Sequence, residues 1–244
     1  MFNYQEYRNK YSQHIMFYEA GVNDRQRVYN ARVAVIGVGR IGIEAARLLT
    51  IAHVQLLRFI HWGEAATEGT TDHQAPLQET LPSGMAAVQD LAAANPSLAL
   101  ELVDATEVAD FIDLLQDIDL VLYEDGDQGR CTLISDACRE LKKPWIYAEA
   151  RGGSGKAVNV IPGRTACIDC VRAGVQFDDK GLKYAPTVTD LIARIMSQVQ
   201  AVEALKILGN SPNISGDVFC FDVDSFSHTL TIAKDEACPC CTGS

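Results

Sequence analysis

The sequence lacks the features that mark membrane-spanning, secreted or nucleic-acid-binding proteins. None of the apolar runs in its 244 residues approaches the roughly 20 residues that a helix needs to cross a bilayer, and the first 14 residues are polar. Lys and Arg number 21 against 32 Asp and Glu, and the resulting formal charge of -11 disfavours binding to a phosphate backbone. We therefore expect a cytoplasmic protein that binds neither membrane nor nucleic acid.

The order of apolar segments predicts an α/β fold with a Rossmann-like, mostly parallel sheet and helices on both faces. The clearest element is Arg32 to Gly37, a β-branched run that ends in glycine, which is typical of a buried parallel strand. Further strands are predicted at 54–60, 98–102, 119–123, 145–148 and 157–161, and helices at 4–20, 43–50, 84–94, 128–141 and 190–208. Two last strands, 218–222 and 229–233, are joined by a short connection and predict a C-terminal antiparallel extension.

We expect a single domain over residues 1–244, because no stretch has the composition of a linker. Within it, residues 1–30 are expected to form an N-terminal helical segment, and residues 31–150 a Rossmann-like nucleotide-binding half. Residues 151–244 would form a zinc-bearing, partner-binding half. The polar stretch 61–81 has no apolar period and predicts a long loop.

Two Cys-x-x-Cys pairs give the strongest chemical signal in the sequence. Cys167 and Cys170 form the first pair, and Cys238 and Cys241 form the second. Four thiolates are the tetrahedral set that structural zinc takes, and four protein ligands leave no open position for catalysis. We therefore predict a structural zinc that ties the C-terminal tail to the middle of the chain, with Cys240 as a competing thiol.

A glycine turn gives the second signal. Gly37, Gly39 and Gly42 lie between a predicted strand and a predicted helix, where glycines admit phosphate to a helix N-terminus. Arg40, inside this turn, is a candidate to meet a phosphate. An NAD-dependent oxidoreductase would carry an acidic residue at the end of the second strand, where this chain reads Ile60-His61-Trp62-Gly63. No histidine stands out as catalytic either, so an NAD-dependent oxidoreductase is the weakest interpretation of the glycine turn.

Several motifs, taken together and in order, resemble the ThiF/MoeB/HesA family, which is related to the ubiquitin-activating enzymes. They are Lys10-Tyr11-Ser12-Gln13-His14, the strand and turn 33–42, Ala94-Asn95-Pro96, the stretch 152–170, the helix motif 200–206 and the closing pair 238–241. The likeness covers nearly the whole chain. It implies ATP and Mg²⁺ as ligands, adenylation of the C-terminal carboxylate of a small ubiquitin-like protein or peptide, and dimerisation.

The chain departs from this family where charged ligands of ATP and Mg²⁺ are expected. The replacements are His61-Trp62-Gly63 for the acidic pair, Gln13 for the N-terminal arginine, His73-Gln74 for an Arg-Gln pair and Ala87 for a lysine. Only the aspartate after the fourth strand has a counterpart, which is Asp125 or Asp127. The candidate nucleotide-binding residues are therefore Gly37, Gly39, Arg40, Gly42 and Asp127, and the candidate catalytic residues are Asp125, Asp127 and Arg40.

Two functions fit this pattern. In the first, the chain is catalytically degenerate and acts as a binding or dimer-partner subunit, for a small ubiquitin-like protein or peptide or for an active homologous subunit. It would then form a homodimer or a heterodimer. In the second, it is an active ATP-dependent adenylyltransferase with a rearranged site, in which Asp125 or Asp127 holds Mg²⁺ and Arg40 meets phosphate. The concentrated loss of charge favours the first, because one lost key charge costs about 3 kcal/mol of transition-state stabilisation.

Overall fold

The computed structural model describes residues 22–62, 88, 90, 91, 93, 95, 97–105, 108–124, 128–175 and 184–242. Several of the sequence predictions fall on positions outside these residues. They are the helix at 4–20, most of the loop at 61–81, Gln13, His73-Gln74, Ala87, Asp125 and Asp127.

Eight strands form one sheet in the order β3-β2-β1-β4-β5-β6-β7-β8. Strands β1 to β5 are parallel to one another, and β6, β7 and β8 continue the sheet in antiparallel pairing. Their bounds are β1 Arg32–Ile36, β2 Leu56–Trp62, β3 Ala99–Ala105, β4 Leu120–Tyr123, β5 Trp145–Arg151, β6 Ser154–Val160, β7 Val218–Asp222 and β8 Phe226–Leu230. The predicted α/β fold, with a mostly parallel sheet and a C-terminal antiparallel extension, is confirmed.

Helices cover both faces of the sheet. They are α1 Val22–Tyr29, α2 Arg40–Ile51, α3 Val108–Leu115, α4 Gln128–Glu140, α5 Ile168–Gly174, α6 Pro186–Leu208 and α7 Pro239–Thr242. Along β1, Val33 and Val35 share a core with α2 and α6, whereas Ala34 and Ile36 share the opposite core with α3 and α4. Because side chains alternate across a strand and both faces are buried, β1 reads in sequence as a continuous apolar run.

The structure corrects three details of the predicted element pattern. The predicted glycine loop at 151–156 is a tight hairpin, in which Gly152, with a φ of +56°, and Gly153 join β5 to β6. The last strand lies at Phe226–Leu230 rather than 229–233. All five of its residues are exposed, so no alternation of buried and exposed residues marks its bounds in the sequence. Helices α3, α5 and α7 were not predicted, since none of them spans more than about two turns.

The strand order reverses direction at β1, which pairs with β2 on one side and with β4 on the other. Such a switch point opens a crevice at the carboxyl ends of the two strands, where α/β proteins bind ligands. The chain leaves β1 through the glycine turn into α2, and it leaves β4 at Glu124. These two segments therefore meet at the crevice.

Among the described residues, no helix is both long and apolar enough to cross a bilayer.

Candidate functional site

The four cysteines of the two pairs lie together, against the core that β1 shares with α3 and α4. Cys167 precedes the first turn of α5 and Cys170 lies within it, while Cys238 precedes the short helix α7 and Cys241 lies within that helix. Their sulfur atoms all lie within 4.8 Å of one another, and three of the Sγ–Sγ distances are 3.6 Å. A tetrahedral zinc with bonds of about 2.3 Å requires sulfur separations of roughly 3.8 Å. The cluster therefore has a geometry that could hold zinc.

The fifth cysteine of this region, Cys240, is directed to another partner. Its thiol donates a hydrogen bond to Oδ2 of Asp169 at 3.2 Å, and this bond raises the pKa of Cys240 to about 11. Cys238 behaves in the opposite way, because backbone N–H groups, chiefly that of Cys241, lower its pKa to about 7. Burial instead raises the pKa of Cys167 and of Cys170, so the four thiols are grouped by their positions and not by a shared tendency to ionise. The geometry thus separates Cys240 from the four clustered thiols.

The glycine turn is shaped by its contact with the end of β4. Gly37 has a φ of +103°, and a Cβ atom there would lie 2.7 Å from the backbone oxygen of Glu124. A Cβ at Gly39 would lie 2.5 Å from Oε1 of Glu124, and one at Gly42 would lie 2.9 Å from Cγ1 of Val35. At Gly37 and Gly42 a side chain would clash with backbone or with the buried Val35, so the turn requires glycine there for its own packing, whereas at Gly39 the neighbour is the end of the Glu124 side chain.

Glu124 is the site residue that sequence reasoning missed. It follows β4 directly, and its Oε2 accepts a hydrogen bond of 2.7 Å from the backbone N–H of Ile41, in the first turn of α2. Gly39, which precedes α2, offers no side-chain cap, so a carboxylate from a neighbouring strand caps this helix. The sequence offers one signal for Glu124, namely an acidic residue directly after a buried strand. Which helix the Glu124 side chain contacts depends on the strand order, which the sequence does not give.

Arg40 does not stand alone in the turn. Its Nε lies 3.0 Å from Oδ1 of Asp190, near the start of α6, and about half of each side chain is exposed. Such a pair adds little stability, because water screens it. The carboxylate of Asp190 nevertheless gives the guanidinium of Arg40 an anionic partner within the chain. The roles predicted for Arg40 and for the three glycines in nucleotide binding stay predictions.

Two further residues of the family-like motifs have defined positions. His61 lies near the end of β2, with its Nδ1 3.2 Å from Oδ1 of Asp104 on β3. Gln200 of α6 is fully buried, and its Nε2 donates to the backbone oxygen of Ile146 at 3.1 Å and of Tyr123 at 3.4 Å. Gln200 thus holds α6 against the adjacent strands β4 and β5, which gives this motif position a structural role.

A carboxyl group on β5 leads to a prediction of pH dependence. The hydroxyl of Tyr147 donates to Oε2 of Glu149 at 2.8 Å, and burial raises the pKa of Glu149. The folded state binds the proton of Glu149 more tightly than the unfolded state does. The stability of the folded chain therefore falls as pH rises through the raised pKa of Glu149. Glu149→Gln should therefore stabilise the chain at pH 8 but change little at pH 4. Urea unfolding at both pH values measures this, with exposed Glu140→Gln as the control; an equal effect of Glu149→Gln at both would contradict it.

Comparisons with known proteins agree with this architecture. The HesA protein of Trichormus variabilis (heterocyst form) is 25% identical over 238 residues, covering 95% of this chain and 88% of that protein. The ThiS adenylyltransferase of Escherichia coli is 25% identical over 247 residues, covering 96% and 95%. MccB of Escherichia coli, crystallised with ATP, superposes with a TM-score of 0.71 at 17% identity, covering 96% of this chain and 74% of MccB, which shows a shared fold. Residues 82–240, well over half of the chain, match the ThiF family, and the chain therefore belongs to that family.

Proposed function

We propose that this chain is a ThiF-family subunit that binds a small ubiquitin-like protein or peptide, or pairs with an active homologous subunit, and that it has lost adenylation. We further propose that Cys167, Cys170, Cys238 and Cys241 hold a structural zinc. Support for a protein or peptide partner comes from relatives, since one is named for adenylating the sulfur carrier protein ThiS and MccB was crystallised with MccA. The zinc would fix the C-terminal tail and take no part in chemistry, because all four of its positions are filled by the protein.

The observation that carries the loss of adenylation is the set of replacements at the positions of the family's charged ligands, where His61-Trp62-Gly63 stands for the acidic pair and Ala87 for the lysine. Phosphoryl and nucleotidyl transfer need cations around the phosphates, because negative charge develops there in the transition state. Arg40 is the cation that the glycine turn itself supplies, and its Nε lies 3.0 Å from Oδ1 of Asp190 in a half-exposed pair. At the position of the family's acidic pair the chain has His61-Trp62-Gly63, which offers no carboxylate to Mg²⁺.

The experiment is an ATP–pyrophosphate exchange assay on the zinc-loaded chain, with ThiS or MccA as the carboxylate substrate. The Escherichia coli ThiS adenylyltransferase and MccB serve as positive controls. We expect no exchange above background, and calorimetry should give a dissociation constant for Mg-ATP weaker than about 1 mM. Exchange that depends on ThiS or MccA, or tight Mg-ATP binding that Asp127→Ala abolishes, would contradict the proposal and favour an active enzyme with a rearranged site.

A further inference from the structure

We propose that Glu124 is a built-in anion that occupies the phosphate position of the glycine turn and thereby keeps nucleotide phosphates out. This inference rests on the proposed loss of adenylation and gives it a cause in one side chain. It differs from the loss of cations, because a competing carboxylate repels phosphate even where a cation is restored.

The strand order places Glu124 against the turn. Ile36 is in register with Tyr123, so the residues that follow them, Gly37 and Glu124, leave the sheet side by side. The backbone N–H of Glu124 donates to the oxygen of Ile36 at 3.3 Å, which fixes the start of the side chain. The carboxylate then reaches the first turn of α2 and accepts the N–H of Ile41 at 2.7 Å. That N–H is one of the donors that the start of a helix presents to an anion.

The carboxylate lies directly over the glycines. A Cβ atom at Gly39 would be 2.5 Å from Oε1 and 3.1 Å from Oε2 of Glu124, and one at Gly42 would be 3.1 Å from Oε1. The space left by the missing side chains, through which a phosphate would approach the backbone, is thus taken by the two carboxylate oxygens. A phosphate oxygen cannot come within hydrogen-bond distance of the same N–H unless Glu124 moves away.

The charges at the turn favour the carboxylate over a phosphate. The start of a helix carries the equivalent of about half a positive charge, which one carboxylate satisfies. A diphosphate or triphosphate would bring several negative charges to the same place, while Arg40 is engaged with Asp190. Displacing Glu124 would therefore bring two anions together at the same helix start.

The test uses the full zinc-loaded chain and inorganic pyrophosphate as the probe, with binding measured by calorimetry and by the ¹⁵N–¹H NMR shift of the Ile41 amide. Glu124→Ala removes both the charge and the bulk, and Glu124→Gln removes only the charge. Glu140→Ala is the matched control, because it removes an exposed carboxylate at the far end of α4. We expect pyrophosphate affinity to rise at least tenfold in Glu124→Ala and at least threefold in Glu124→Gln, with a saturable shift of Ile41, and to stay at the wild-type value in the control.

The outcomes separate this inference from the proposed function. If Glu124→Ala fails to fold, as judged by circular dichroism, Glu124→Gln decides, because its amide oxygen can still accept the Ile41 N–H. Affinities of the folded variants within twofold of the wild type would overturn the inference while leaving the proposed function standing. ATP–pyrophosphate exchange by the wild-type chain would overturn the proposed function and, with it, this inference, whatever the variants bind.

Discussion

Removing zinc with a chelator should lower the thermal unfolding midpoint of this chain more than any single substitution in its core. The segment that follows β8 is held weakly by the rest of the protein, because residues 231–237 form no regular structure and all but Ile232 are exposed. Ile232 packs against the core, and Lys234 donates to the backbone oxygen of Gly163. The cluster of Cys167, Cys170, Cys238 and Cys241 joins its end to α5, where Cys240 adds a hydrogen bond to Asp169. Structural zinc contributes about 10 kcal/mol in small zinc peptides, and we expect about 5 kcal/mol here, where the sheet remains without it.

The prediction is measured by zinc content and by calorimetric unfolding before and after chelation. Cys170→Ser and Cys238→Ser should each abolish stoichiometric zinc and reproduce the chelated midpoint. Cys240→Ser is the matched control, since that thiol donates to Asp169 and lies outside the cluster, and it should retain one zinc per chain. A chain purified without metal that unfolds at the same temperature with and without added zinc would show that the cluster is not a metal site.

What sequence could predict here follows from how local each signal is. The two Cys-x-x-Cys pairs and the strand β1 are readable because their residue types and spacing state the chemistry directly. The predicted position of strand β8 was wrong by three residues, because an exposed edge strand has no buried face to impose an alternating pattern. The fold class needs only the order of such segments, which is why it was predicted although several element bounds were wrong by a few residues.

The contacts at the glycine turn are not local, and sequence could not supply them. Arg40 meets Asp190, which lies 150 positions further along the chain, and Ile41 meets Glu124 across the junction of β1 and β4. Both contacts require the strand order, which sequence patterns leave open. The loss of the family's charged residues was visible in sequence, but the carboxylate that fills the turn was not. The functional state of this site therefore depends on tertiary neighbours rather than on the motif itself.

Arg58→Ala should destabilise the chain by about 2–3 kcal/mol, the largest effect we expect from any ion-paired side chain among the described residues. Arg58 lies on β2 and is 9% exposed. Its Nε donates to Oε2 of Glu101 on β3 at 2.5 Å, and its Nη1 donates to the backbone oxygen of Leu114 at 2.5 Å and to Oδ1 of Asp117 at 2.6 Å. One guanidinium thus ties β2 to β3 and to the end of α3, and no smaller side chain can reach all three.

The magnitude follows from which groups are left behind. The side chains of Glu101 and Asp117 are 39% and 47% exposed, so water can hydrate both carboxylates once Arg58 is removed. The remaining cost comes from the lost hydrogen bonds and from the cavity at the buried stem of Arg58. Arg58→Lys keeps the charge but not the planar fork, and should lose about half as much. Arg139→Ala, which breaks a helical pair with Asp136, should cost less than about 0.5 kcal/mol.

The effect of Arg58→Ala should also depend on pH. The hydrogen bond from Arg58 lowers the pKa of Asp117 below its ordinary value of 3.8. A carboxyl whose folded pKa is depressed stabilises the fold above its unfolded pKa and loses that contribution as pH falls through the folded value. The wild type should therefore lose stability more steeply than Arg58→Ala below about pH 4, and the difference between them should narrow. Urea unfolding at pH 7 and pH 3 measures this, and a difference that widens in acid would show that Asp117 is not held by Arg58.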